Sequence, residues 1–331
     1  MLVSVIVSVY NGRRYLRDSL GSVLNQQGVE FECVVVDDGS TDGSGAVLEQ
    51  LASEHSRLRV FHQPHKGLTR ALIYGCSKAR GLYIARHDSD DISHPGRLAR
   101  QSELLSADPA LSMVSCWGLG LGPADEILFE VRRPTDSVEA TKQLACGEGP
   151  PGHGSVIFRS ELYRRVGGYR EPFRFAQDWD LWLRLGERGR IAYVPEFLYA
   201  YRIDEHSISG RWRARQLRLA ELARRCYAAR LQARAEAPHL EEAARISREP
   251  LPPREPSPHG TTYFIGKCLL DRRDARALPY LRRSVRAAPW NWRSWAALAS
   301  AALLCRGKER GRVERIQGRV TQTGPWRGVN P

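Results

Sequence analysis

Over its first ninety or so residues the chain alternates short apolar runs with amphipathic ones, and this pattern admits few folds. The run "LVSVIVSVY" is apolar and rich in β-branched residues, as a strand covered on both faces must be. "RRYLRDSLGSVLNQQ" follows, with Tyr15, Leu16, Leu20, Val23 and Leu24 at helical spacing. The order then repeats. "FECVVVDDGSTD" reads as a strand, "SGAVLEQLASEH" as a helix, "LRVFHQ" as a strand, "LTRALIYGCSKA" as a helix and "GLYIARHD" as a strand. Such alternation builds βαβ units around a parallel sheet.

Further on, residues 93–110 read as a helix capped by Ser93 with Pro95 in its first turn. "LSMVSCWGLGLG" and "EILFEVRRP" read as strands, and "GSVIFRSELYRRVGGY" as strand, helix and a Gly-Gly stop. "DWDLWLRLGERG" reads as a helix, and "IAYVPEFLYAYRI" as two strands parted by Pro195. The expected division is a catalytic domain over 1–210, an Arg-rich helical extension over 211–247, a Pro-rich linker over 248–260 and a small helical region over 261–331. The last of these has the small-residue spacing of a tetratricopeptide-type hairpin.

Three polar clusters end predicted strands: Ser8-Val9-Tyr10-Asn11, Asp37-Asp38-Gly39-Ser40 and Asp88-Ser89-Asp90-Asp91. Open α/β sheets bind ligands at the carboxyl edge of their strands, so the clusters are expected to converge there. Each alone is also good turn and helix-cap chemistry. No G-x-G-x-x-G follows the first strand and no G-x-x-x-x-G-K-[ST] occurs, which excludes the two common phosphate-cradling loops. A site rich in carboxylates repels phosphate unless a divalent cation bridges them, so Mg²⁺ or Mn²⁺ is the expected cofactor. The formal charge of +13 also suits an anionic partner, although a bias toward arginine explains the excess equally well.

The stretches "VSVIVSVYNGRRYLRDSLGSVLNQ", "VVVDDGSTDGS", "YIARHDSDDISHPGRLARQ", "HGSVIFRSELYRRVGGYRE" and "AQDWDLWLRLGERGRIAYVPEFLYAYR" together resemble the family-2 glycosyltransferases over roughly residues 1–210. The resemblance implies a GT-A fold: a mainly parallel central sheet flanked by helices, here followed by a C-terminal α-helical region. It also implies an inverting, metal-dependent transfer of sugar from a UDP-, GDP- or dTDP-sugar to a glycan or lipid-linked acceptor, as in surface-polysaccharide or lipopolysaccharide synthesis.

Carried over by position, Ser8 and Tyr10 would line the nucleobase pocket, with Asp38 accepting from the base and Asp37 beside it. Arg70 would approach the phosphates or base, Asp88 the ribose, and Asp90 the metal, leaving Asp91 a structural carboxylate. Asp178 would be the general base that takes the acceptor's proton. Spacing alone leaves Asp180 equally eligible, and the resemblance favours Asp178. His153 and Trp179 would lie on the acceptor side, while Trp182 reads as core. Many relatives place a metal-ligating histidine after the late "YR". Here Asp204 holds that position and His206 follows two residues on, so either is a candidate ligand. Processive relatives carry Q-x-x-R-W, whereas "ISGRW" has Ile208 in place of the Gln.

Seven scattered cysteines without a C-x-x-C pair fit a reducing compartment, and the apolar N-terminus reads as a strand rather than a signal peptide. A cytoplasmic enzyme is expected, with the Arg-rich helix offering peripheral contact with the anionic inner face of the plasma membrane. That helix reads equally well as one packed on the catalytic domain by its leucines. Two other functions fit parts of the sequence: a sugar nucleotidyltransferase and a non-catalytic scaffold of the same fold. Nucleic-acid binding is not expected, because no basic platform interleaved with aromatics is present.

Overall fold

The computed structural model describes residues 1–148, 151–204, 212–250 and 258–306. Four parallel strands open the fold: β1 (Leu2–Val9), β2 (Glu30–Asp37), β3 (Leu58–His62) and β4 (Tyr83–Asp88), ordered β3-β2-β1-β4. The helices between them are α1 (Arg13–Leu24), α2 (Ser44–Glu54) and α3 (Leu68–Ser77). Both faces of β1 are buried, which explains its unbroken apolar run. Val3, Val5, Val7 and Val9 pack with Leu16, Leu20 and Leu48 in one core. Ile6 faces the other core with Leu72 and Cys76.

The second half brings β5 (Ile92–Ser93), α4 (Arg97–Ala107), β6 (Leu111–Leu121), β7 (Ile127–Val131), α5 (Ser137–Cys146), β8 (Ile157–Arg159), α6 (Ser160–Arg165), α7 (Gln177–Gly186) and β9 (Arg190–Arg202). The sheet continues β4-β8-β6-β9-β5, and β7 pairs with β6. Here β8 runs antiparallel to both β4 and β6, and β5 antiparallel to β9, so the parallel run β3-β2-β1-β4 continues into a mixed sheet.

Two local expectations change. The helix expected from 93 begins at Arg97, because Ile92 and Ser93 are drawn into the sheet against Ala200 and Tyr199 and the Ser93 hydroxyl is held by His87. Pro195 does not split β9, since Pro195 and Glu196 face solvent, where a missing ladder donor is tolerated.

The chain forms two compact units that do not follow the linear order of residues. The first joins Met1–Gly118, Arg132–Tyr201 and Trp212–Pro250. Its last segment carries α8 (Arg213–Leu231) and α9 (Ala237–Arg248). The leucine stripe of α8 turns inward: Leu219, Leu222, Ala223 and Cys226 join the core that holds Trp182 and Leu185 of α7. Each leucine so buried contributes about 1.5–3 kcal/mol. Arg215, Arg218, Arg224, Arg225 and Arg230 are paired with Glu249, Glu221, Glu187 and Glu236. The division expected at residue 210 therefore gives way to a first unit that includes these helices.

The second unit joins Leu119–Val131, Arg202–Arg211 and Leu251–Pro331. It contains α10 (Pro258–Asp271), α11 (Ala277–Ala287) and α12 (Trp292–Arg306), packed around Leu128, Ile265, Leu269, Leu281, Ala297 and Ala301. Among the described residues no helix is long and apolar enough to cross a membrane. The cysteines whose side chains are described are free thiols.

Candidate active site

Strand register levels the three clusters. Ser8 lies opposite Asp88 on β4, and Val9 opposite Asp37 on β2. Side chains distant in sequence thus meet at one carboxyl edge. The loops beyond the edge are tied together. The Asn11 side-chain Oδ1 accepts from the Thr41 N–H at 2.8 Å, and the Asn11 and Gly12 backbone N–H groups donate to the Ser40 and Ser44 hydroxyls.

Asp37 and Asp38 are both buried and both occupied. Asp37 accepts from the Ser40 N–H at 3.0 Å and meets His62 Nδ1 at 3.0 Å. Asp38 Oδ1 accepts from Gln63 Nε2 at 2.6 Å and the Lys66 N–H at 2.9 Å. Its Oδ2 accepts from the Gly67 N–H at 2.7 Å and meets His65 Nδ1 at 2.9 Å. An ionised carboxylate offers about four acceptor positions. All are taken, so in this conformation Asp38 shapes the 63–67 loop, and a base would have to displace one donor to reach it. The loop packs tightly over Gly39 (φ +77°), where a Cβ would lie 2.7 Å from the His65 nitrogen. It brings the His65 imidazole onto the exposed Tyr10 ring, with centroids 3.9 Å apart and planes 24° apart.

The Asp88–Asp91 cluster has protein cations beneath it that the sequence reading did not assign. Arg86 is fully buried on β4. It donates to Asp88 Oδ1 at 2.5 Å, to the His87 carbonyl at 3.0 Å and to the Ile6 carbonyl. Burial disfavours its charge, but Asp88 more than compensates and holds its pKa above the ordinary arginine value. Arg97, also fully buried, donates to the Arg86 and Gly154 carbonyls and lies over the Tyr199 ring. Tyr199 donates to Asp91 Oδ2 at 2.7 Å and accepts from the Asp88 N–H at 3.1 Å. Asp91 is buried, whereas Asp88 and Asp90 are partly open to solvent. Gly154 closes against this group: a Cβ there would lie 1.9 Å from the Tyr199 hydroxyl and 2.9 Å from Asp88 Oδ2. The chain's own guanidinium groups therefore relieve part of the carboxylate repulsion. One signal was legible: Arg86 directly follows the apolar run "LYIA", within the strand that ends at Asp88.

Replacing Arg86 with Met is expected to cost ~3–5 kcal/mol, because it removes one side of a buried ion pair and orphans two carbonyls. The value should fall toward the lower end, since Asp88 is 33% exposed and water can replace part of the lost partner. A urea midpoint that moves by less than about 1 kcal/mol equivalent would contradict this account.

The start of α7 separates the two eligible aspartates. Asp180 is buried and clamped by Arg170 and by Arg184, whose NH2 lies 2.6 Å away. Asp178 has no such partner among the described hydrogen bonds; it accepts only from the Trp179 N–H, at 2.9 Å. Burial raises its pKa to about 6, and the charge on Asp88 adds to that shift against the pull of the Trp179 N–H and Arg86. A carboxylate of this kind is ionised near neutrality yet basic enough to accept a proton.

His153 is neutral, its pKa lowered to about 3 by burial first and Arg86 second. Its Nε2 faces the Arg86 Nε donor at 3.3 Å and the Tyr169 hydroxyl at 2.9 Å, which places its proton on Nδ1. Trp179 is half-buried against the core that holds Trp182. Arg70 is exposed and forks onto Glu171 at 2.8 and 3.0 Å. It lines a cavity of about 260 Å³ with Lys66, Arg174 and Arg248.

Asp88 and Asp90 are hard oxygen donors at an open edge, which suits Mg²⁺ or Mn²⁺. Among the described residues no group of three or more His, Cys, Asp or Glu side chains gathers as a ready cation cage. The residues present therefore fit an ion held partly by substrate oxygens and water, not one enclosed by protein. Asp204 is a buried residue of the second unit, and His206 lies outside the described residues.

A family model, glycosyl transferase family 2, matches residues 4–128. The Bacillus subtilis (strain 168) protein designated glycosyltransferase EpsE is 36% identical over 214 residues, 63% of this chain and 76% of EpsE. EpsJ of the same organism, an uncharacterized glycosyltransferase, is 31% identical over 218 residues, 63% of each chain. Chondroitin synthase of Pasteurella multocida (strain Pm70) is 27% identical over 201 residues, and the match spans only 20% of that longer protein. Among solved structures, Staphylococcus aureus TarS 1-349 in complex with UDP superposes with a TM-score of 0.56 at 16% identity, covering 94% of this chain and 93% of that one. The mannosyltransferase PcManGT from Pyrobaculum calidifontis, in complex with GDP-Man and Mn²⁺, superposes with a TM-score of 0.52 at 21% identity, covering 93% and 88%.

Proposed function

The chain belongs to the family-2 glycosyltransferases, and from that premise we propose that it catalyses metal-dependent, inverting transfer of a sugar from a nucleoside-diphosphate sugar to the hydroxyl of a glycan or lipid-linked acceptor. Surface-polysaccharide synthesis is the process such a reaction would serve. The observation that carries the mechanism is Asp178: a carboxylate with its pKa raised to about 6, close enough to Asp88 for their charges to interact, while Asp180 beside it is locked by arginines.

The nucleotide would enter at the carboxyl edge, where Ser8 and Tyr10 end β1 and the Tyr10–His65 stack offers an aromatic surface for a base. Asp37 and Asp38 would hold the surrounding loop in shape, and Arg70 would meet phosphate oxygens after release from Glu171. Asp88 would reach the ribose. Asp90, with Asp88, would hold a divalent cation, which when bound supplies neutralisation of the departing diphosphate. Asp178 would accept the proton of the acceptor hydroxyl as that oxygen attacks the anomeric carbon from the face opposite the diphosphate, which inverts the configuration. His153, held neutral, and Trp179 would border the acceptor.

The test is a panel of UDP-, GDP- and dTDP-sugars incubated with Mg²⁺ or Mn²⁺. Release of a nucleoside diphosphate that depends on added metal is expected with at least one donor, at a basal level without acceptor. Release of pyrophosphate instead would make the protein a sugar nucleotidyltransferase. Donor binding without turnover in the presence of a full glycan acceptor array would favour a non-catalytic role.

A further inference from the structure

Helix α12 is apolar on two faces, and only one of them is used inside the fold. Ser294, Ala297 and Ala301 point into the second unit's core, where the Ser294 hydroxyl meets His259 and Ser284. Trp292, Trp295, Ala296, Ala299 and Leu303 recur at helical spacing on the other face, and all are exposed. Trp292 is 72% exposed, Trp295 52% and Leu303 72%. Trp290, just before the helix, is 83% exposed. Tryptophan is costly to leave in water, and a contiguous stripe of this kind marks a contact surface.

The charge around the stripe identifies the partner. From Ala275 to Arg306 the chain contains no Asp or Glu. Arg282, Arg283 and Arg286 on α11 and Arg293 on α12 are all exposed. A second copy of this surface would bring arginines against arginines, so self-association is opposed by charge. Exposed tryptophans, with Arg293 against the Trp292 ring, in a segment that carries exposed arginines and no carboxylate of its own match the interface of an anionic bilayer, where indole rings settle at headgroup level and guanidinium groups meet phosphates. We propose that α11 and α12 form a peripheral docking surface for an anionic lipid bilayer, the helices lying on the membrane rather than crossing it. This places lipid contact on the C-terminal helices instead of the Arg-rich α8, where Leu219 and Leu222 are in the core and Arg215, Arg218, Arg224, Arg225 and Arg230 are paired with glutamates. The inference rests on the second unit alone and stands independently of the transferase reading.

The test is flotation of the full chain with vesicles of phosphatidylcholine, with or without phosphatidylglycerol. Binding is expected only with the anionic vesicles, is weakened by salt, and shifts tryptophan emission to the blue. Two double variants with unchanged circular dichroism check the surface. Arg286→Ala with Arg293→Ala should reduce partitioning by roughly 30-fold, at about one kcal/mol per arginine. Trp290→Ser with Trp292→Ser should reduce it by about tenfold or more. Absence of flotation would overturn the proposal. So would flotation that survives both double variants, or a lipid-free dimer abolished by the tryptophan pair, which would make the stripe a self-interface. Binding to RNA but not to lipid would do the same.

Discussion

Asp178→Asn is expected to lower sugar transfer by ~10²–10⁴-fold while leaving donor binding within a few-fold of the parent, because a positioned general base contributes that much. The substitution keeps shape and removes only the proton acceptor. Activity of the parent should fall as pH drops through about 6, where Asp178 takes up a proton, and the variant's residual rate should lose that inflection. Stability should move the opposite way. A carboxyl whose folded pKa lies above its unfolded value binds its proton more tightly in the folded state. Its ionisation therefore costs stability as pH rises from about 4 to about 6, and the cost persists at neutrality. Asp178→Asn removes it, so the variant should melt higher than the parent at pH 7. A variant that loses both activity and stability would instead assign Asp178 the role of a helix-start residue.

Asp90→Asn and Asp91→Asn, one position apart, should separate cleanly. Asp90 is partly exposed and is the proposed cation ligand, so its replacement should abolish metal-dependent turnover and weaken Mn²⁺ binding measured by calorimetry with donor nucleotide present. Stability should change by less than about 0.5 kcal/mol, as for most surface substitutions. Asp91 is buried and accepts from Tyr199. Its replacement should cost ~1–3 kcal/mol, because a buried charge-assisted hydrogen bond is weakened. Metal affinity should then be retained in the fraction that folds. If Asp91→Asn is the more damaging to metal binding, the ligand register is displaced by one residue.

The parallel half of the fold was legible because each strand is buried on both faces and each helix carries one stripe, so local pattern and tertiary role coincide. Legibility declined where long-range pairing overrode local preference. Ser93 has the chemistry of a helix cap, yet sheet pairing with β9 and the His87 ring claim it. Pro195 reads as a break, yet it is exposed and β9 runs through it. The Arg-rich segment reads as an appendage, yet Leu219 and Leu222 complete the core around α7. Composition cannot tell a solvated arginine from one paired with a glutamate dozens of residues away.

The candidate site divides in the same manner. The carboxylates themselves, and their positions at strand ends, are properties of the sequence: strand alternation sends Asp37 and Asp88 to one edge wherever parallel register holds. The tertiary structure decided which acids remain available. Asp38 spends its acceptors on the 63–67 loop, Asp180 is neutralised by Arg170 and Arg184, and Asp91 is held by Tyr199. Asp178 alone of the α7 pair is left partly buried near another carboxylate without an arginine clamp, and that environment sets its pKa. The physical reason is that burial, charge proximity and hydrogen-bond saturation are sums over neighbours brought together by folding. A linear chain specifies which groups it owns; only packing specifies what each group faces.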